Sequence, residues 1–158
     1  MNLLCLVVAI IRVHFHFKIW RAPWKIKIGG RHNYCRVNLR NGEASDFCIH
    51  LSTTGQTSNN MFLHGVFGRL SLIETFAFVY LHEIKHVLQY MDEDIECVAA
   101  VDDGSYLIDW RGTLYFMDET SPDVDWPWER DADAFAVEHL GYIKVGKRCG
   151  LRSYCSAL

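Results

Sequence analysis

The run SLIETFAFVYLHEIKHVLQYM, residues 71–91, carries no glycine or proline and sets two histidines four apart, with a glutamate directly after the first. A segment of this length and composition predicts a helix, and Ser71 followed by Glu74 predicts a capping box at its start. Residues four apart on a helix lie one turn apart on the same face. His82 and His86 then offer two imidazole nitrogens to one point, as a tetrahedral Zn2+ site requires. Glu83 projects beside that point, where a carboxylate takes a proton from metal-bound water. The competing reading makes His82 and His86 hydrogen-bonded core histidines of a metal-free structural protein. Burying a carboxylate and two imidazoles next to FAFVYL without a cation is costly, which favours the metal.

A chain of 158 residues, 50% hydrophobic, suits one domain with a sizeable core. The expected division is a single catalytic domain over 1–145 and a short basic tail over 146–158. A net charge of −3 gives no general attraction to nucleic acid or to an anionic membrane, so neither is expected as a partner. The six cysteines include no CxxC pair, and the chain is longer than small disulfide scaffolds. They read as reduced, buried thiols, with a cytoplasmic setting expected (host-cell cytoplasm or virion if the chain is viral). The start, MNLLCLVVAII, lacks a positively charged beginning and a small-residue cleavage site, and its apolar run is too short for a bilayer. It runs into RVHFHFKIW, where Val13, Phe15, Phe17 and Ile19 alternate with polar residues. That period of two predicts a half-buried strand rather than a targeting segment. His14 and His16 would lie on its polar face.

Further strands are expected near 11–20, 24–29, 34–40 and 46–53, separated by turn-forming residues. After DEDIE an irregular stretch is expected, then a hairpin of Tyr106–Trp110 and Thr113–Met117 around Arg111-Gly112. A second helix is expected from Pro127, with Asp125 near its cap and Gly141 as its stop.

A catalytic zinc needs a third protein ligand and leaves the fourth place to water. Asp92 stands six residues beyond His86, where a metzincin-type ligand would fall, but Gln89 occupies the position of the glycine that bends such a chain back. Glu129, in PWERDADAFA, is the better candidate. With Asp133 four residues on, both carboxylates face one way; the first can ligate while the second hydrogen-bonds a ligand histidine from behind, His82 being the expected one.

His82-Glu83-x-x-His86 followed by Glu129-x-x-Ala132-Asp133 resembles a gluzincin metallopeptidase. The resemblance implies His82, His86 and Glu129 as zinc ligands, Glu83 as general base and Asp133 as the carboxylate behind a ligand. WRGTLY at 110–115 followed by PWERDA at 127–132 is similar to small phage-type zincins. The chain also loosely resembles ImmA/IrrE-like and minigluzincin peptidases. The likeness covers roughly 70–140. It departs from the pattern at Lys85, where such motifs usually carry an uncharged residue; Lys85 is expected to point away from the metal and reach solvent.

The fold expected is α+β and zincin-like, an N-terminal antiparallel-rich sheet packed on the HExxH helix and on a second, glutamate-bearing helix. One segment between 24 and 53 would be a substrate-binding edge strand. The expected activity is hydrolysis of a protein or peptide with Zn2+ as cofactor. A zinc-bound peptide-binding or regulatory domain is the alternative, beside the metal-free structural protein. Tyr115, Tyr106 and His139 are candidates for stabilising the oxyanion, and Trp110, Trp126 and Trp128 read as core or pocket wall. Oligomeric state and substrate identity are not legible.

Overall fold

The computed structural model describes residues 3–17, 24–40, 43–53, 70–92, 94–100, 105–117 and 126–144. The expectations for residues 18–20, for Asp125 and for the tail at 146–158 fall outside these. Among the described residues the chain is mixed α and β, with three helices and two three-stranded sheets.

The first element corrects the strand expected over 11–20. Residues Leu3–Phe17 form helix α1. Leu6, Ala9 and Val13 are buried, and a spacing of three then four residues is one face of a helix. The alternation at Val13 and Phe15 is real, but it splits across that face, Val13 inside and Phe15 exposed. Packing of the 6–9–13 stripe against the next helix therefore overrides the strand propensity of the Val, Ile and Phe residues. His14 Nε2 lies 2.6 Å from the Tyr80 hydroxyl, tying α1 to that helix.

Sheet A contains β1 (Trp24–Ile28), β2 (Tyr34–Arg40) and β3 (Glu43–Leu51), in the order β1-β3-β2. The expected antiparallel character holds for β2 with β3; β1 runs parallel to β3, so the sheet is mixed. Alternation puts Ile26, Cys35, Val37, Phe47, Ile49 and Leu51 on the face that meets the helical core.

Helix α2 (Leu72–Met91) is the central element, packed against α1, sheet A and the last helix. Its capping box forms as expected: the Ser71 hydroxyl accepts from Glu74 N–H, and Glu74 Oε2 accepts from Ser71 N–H at 2.7 Å. Phe76, Ala77, Tyr80, Leu81, Ile84 and Val87 bury the face that carries the core.

The irregular stretch expected after DEDIE is a strand as far as Ala100, and residues 101–104 lie outside the described residues. β4 (Ile95–Ala100) pairs antiparallel with β5 (Tyr106–Trp110), which pairs with β6 (Thr113–Met117). A register shift between Cys97 and Ala99 breaks the alternation that would have announced β4. The β5–β6 hairpin has the expected limits and turns at Arg111 (φ 50) and Gly112 (φ 81). Helix α3 (Pro127–Lys144) begins at the expected proline but continues through Gly141, which is buried inside it. A glycine in a helix interior costs about 1 kcal/mol, which the packing of Leu140 and its neighbours absorbs. No helix among the described residues is long and apolar enough to cross a membrane.

Candidate metal centre

Two helices bring the site together. Ala132 and Ala136 on α3 have 0% exposure, and their small side chains let α3 approach α2 closely. The N-terminal end of α3 is seated by a second core cluster, in which Trp128 packs on Trp110 and Tyr115 and stacks on Trp126. Those tryptophans are core, as one of the two sequence readings had it. The residue following Trp128 is Glu129, and this seating aims its carboxylate at α2.

His82 Nε2 lies 3.0 Å from His86 Nε2 and 3.1 Å from Glu129 Oε2, while His86 Nε2 lies 3.4 Å from Glu129 Oε1. Metal-ligand bonds of 2.0–2.1 Å at tetrahedral angles put neighbouring donors about 3.3 Å apart. Among the described residues, His82, His86 and Glu129 are the group of donors spaced to hold a metal ion. The other third-ligand candidate, Asp92, is exposed and serves as the C-cap of α2, its N–H donating to the Leu88 carbonyl.

The outer hydrogen bonds determine which ring nitrogens are bare. His82 Nδ1 is 2.9 Å from Asp133 Oδ1, a carboxylate that only accepts, so Nδ1 carries the proton and Nε2 faces inward. The sequence placed Asp133 behind His82, and there it stands. His86 has a partner the sequence reading missed, Gln89 Oε1 at 2.8 Å from Nδ1. The Gln89 amide is oriented by its other end, whose nitrogen donates to the Trp128 carbonyl at 2.9 Å and to Asp131 Oδ2 at 3.0 Å. Both of these are pure acceptors, so the amide oxygen must face His86 and the imidazole must donate from Nδ1. Gln89 drew notice in the sequence only as a missing glycine; its spacing of three from His86 was the available signal.

With both Nδ1 atoms donating outward, two Nε2 lone pairs meet at 3.0 Å beside a carboxylate. Such a contact needs a proton or a cation between its members. In the metal-free protein the proton goes to His82. Burial alone would lower its pKa, but hydrogen bonds to Asp133 and Glu129 and the charge of Glu83 outweigh that and hold it up at about 10. Glu129 shows the reciprocal effect: burial would raise it, yet the hydrogen bond with His82 and the proximity of His86 hold it down to about 2.

Glu83 is buried at 5% exposure. Burial raises its pKa, opposed by the two histidines and assisted by Glu129. Its Oε2 is buried with no hydrogen-bond partner among the described residues. A buried acceptor without a partner among the described residues is uncommon, and this one lies beside the donor triad.

Lys85 corrects the expectation that it reaches solvent. Its side chain is 15% exposed, and Nζ lies 3.2 Å from Asp131 Oδ2 and over the Phe135 ring. Its charge is thereby matched by Asp131, on the helix that also carries Glu129. The oxyanion candidates are not brought to the triad by any contact the structure shows: Tyr115 packs on Trp126 and Trp128, Tyr106 is exposed on β5, and His139 packs on Phe135. Cys5, Cys35 and Cys48 are free thiols, and the Cys97 side chain, Cys149 and Cys155 lie outside the described residues. Cys35 faces the core from β2. Burial, then the charges of Glu83 and Cys48, push its thiol up to about 12. A cavity of about 390 Å³ lies elsewhere, lined by Lys27, Arg31, His32, Tyr34 and His50 among others, and includes none of the triad. Comparison of the chain with protein-family models, with curated proteins and with solved structures returns no match in any of the three.

Proposed function

We propose that the chain is a zinc-dependent peptidase of the gluzincin type. The observation that carries this reading is the pair of outward-donating imidazoles whose bare nitrogens converge with Glu129, next to the buried, partnerless oxygen of Glu83. Two nitrogens and one carboxylate oxygen with a place left open suit Zn2+. Zinc, when bound, would acidify a water molecule and polarise the carbonyl of a peptide bond.

The chain's own residues supply the rest. Glu83 accepts the proton of the attacking water and passes it to the leaving amine. Its burial favours the protonated form it must adopt between those two transfers. Asp133 and Gln89 hold the two rings in register. β2 is one edge of sheet A and packs against α2, so an extended peptide adding to that edge would lie beside the motif-bearing helix.

The test is zinc content and peptide turnover, measured together. Glu83→Ala is expected to retain zinc and lose hydrolysis by about a hundredfold or more, the usual contribution of general acid–base catalysis. His82→Ala is expected to lose both. A Glu83→Ala protein that still cleaves peptide would remove the mechanism; a zinc-loaded parent without turnover would leave the peptide-binding domain in its place.

A further inference from the structure

The two ligand histidines are held by different devices. Behind His82 stands a carboxylate, Asp133, with 36% of its side chain exposed. Behind His86 stands a neutral amide, Gln89, with 0% exposure. A buried glutamine has two ends to satisfy, and both ends of this one are used. Its nitrogen is held by the Trp128 carbonyl and by Asp131, and Asp131 is in turn held by Lys85 at 3.2 Å. Arg111, whose guanidinium forms two bonds to Asp94, stands 3.9 Å from the same Asp131 oxygen.

We propose that Gln89 is the positioning residue for His86, and that Asp131, clamped by Lys85, keeps the Gln89 amide from turning over. This rests on the zinc reading of the triad and adds to it the device that sets the affinity. A turned amide would present its NH2 to His86 Nδ1. The ring would then have to accept at Nδ1 and carry its proton on Nε2, the atom that must be bare to bind metal. Asp131 and the Trp128 carbonyl forbid that turn, because neither can donate to an amide oxygen. Lys85, the departure inside the HExxH motif, therefore has a positive role: it anchors the acceptor that anchors the amide.

The alternative is that Gln89 merely satisfies the Trp128 carbonyl in the core. The two cases separate on zinc affinity, measured on the full chain by competition with a chromophoric chelator. Gln89→Met keeps the volume and removes the acceptor, and is expected to bind zinc about 10- to 100-fold more weakly. Gln89→Glu restores an acceptor for Nδ1–H but places a second carboxylate against Asp131. It is expected to recover most of the loss, because the His86 proton is what matters. A purely structural role predicts the reverse order, with glutamate the worse of the two. Should Gln89→Met fail to fold, Asp131→Ala, at a site with 30% side-chain exposure, removes one of the two acceptors that hold the amide and is expected to cost about tenfold.

Methionine or alanine variants with the parent's affinity, or glutamate no tighter than methionine, would overturn the proposal while leaving the metal centre intact. A parent chain that binds no zinc would overturn the metal centre, and this proposal with it.

Discussion

Glu129 and Asp133 differ in what they are asked to do, and substitution should separate them. Glu129→Ala removes one of three donors and is expected to abolish stoichiometric zinc. Asp133→Asn keeps the shape behind His82 but exchanges a carboxylate for an amide that can also donate, and is expected to weaken zinc about 10- to 100-fold. Equal affinity in Asp133→Asn and the parent, by chelator competition, would show that Asp133 does not set the ring. Cys35 offers a second check at this level. With its thiol raised to about 12 by burial and the Glu83 charge, it should resist alkylation at pH 8 until the chain is unfolded, as peptide mass mapping would show. Rapid labelling in the folded protein would contradict the packing of β2 on α2. At single positions the sequence named His82, Glu83, His86, Glu129 and Asp133 as one site; the structure brings His82, His86 and Glu129 together and sets Asp133 against His82. For Gln89 only its spacing from His86 gave a signal; the contacts of Gln89 and Lys85 with Asp131 were not legible, because that residue lies forty-odd positions away.

The helices and strands are specified unevenly. α2 was readable because cap, length and apolar spacing agree, and Ser71→Ala should cost about 1 kcal/mol in a denaturation experiment. An unchanged midpoint would mean the capping box carries no stability. The β5–β6 hairpin was readable from Arg111-Gly112 between alternating runs. Its first turn residue is nevertheless a strained arginine at φ 50, held by two guanidinium bonds to Asp94, a main-chain bond to the Asp94 carbonyl and a stack on Trp110. α1 misled because Val13, Phe15, Phe17 and Ile19 fit a strand period, whereas the buried stripe of Leu6, Ala9 and Val13 follows a helix period. The longer pattern wins once α2 is present to bury it. The α2–α3 crossing depends on Ala132. Ala132→Leu would force the helices apart at a site with 0% exposure, with an overpacking cost of about 1–3 kcal/mol. Zinc should be lost along with that stability; zinc retained at full stoichiometry would show that the crossing does not position the donors.

For the molecule as a whole, the proposed zinc site would set protons and metal in competition for one centre. In the metal-free state His82 has a folded pKa of about 10 against 6.5, raised on folding. Its stabilising contribution is therefore full below 6.5 and is lost as pH rises through about 10. Glu129 is depressed to about 2 from 4.5; its contribution is full above 4.5 and is lost as pH falls through about 2. Under the proposed function zinc would have to displace the His82 proton, so zinc binding near pH 8 is expected to release about one proton per metal. Calorimetry in buffers of different ionisation enthalpy measures this, and zero release would contradict the protonated bridge. The chain's class, α+β with a central motif-bearing helix, was visible in the sequence. The mixed sheet was not, because the parallel pairing of β1 with β3 skips over β2 and depends on contacts no local window contains.

The decisive measurement is metal content of the purified chain by elemental mass spectrometry, beside Glu129→Ala. The structure's donor spacing predicts close to one zinc per chain in the parent and a sharp fall in the variant. No zinc in either protein after incubation with the metal, or zinc kept in full by Glu129→Ala, would contradict a centre built from His82, His86 and Glu129.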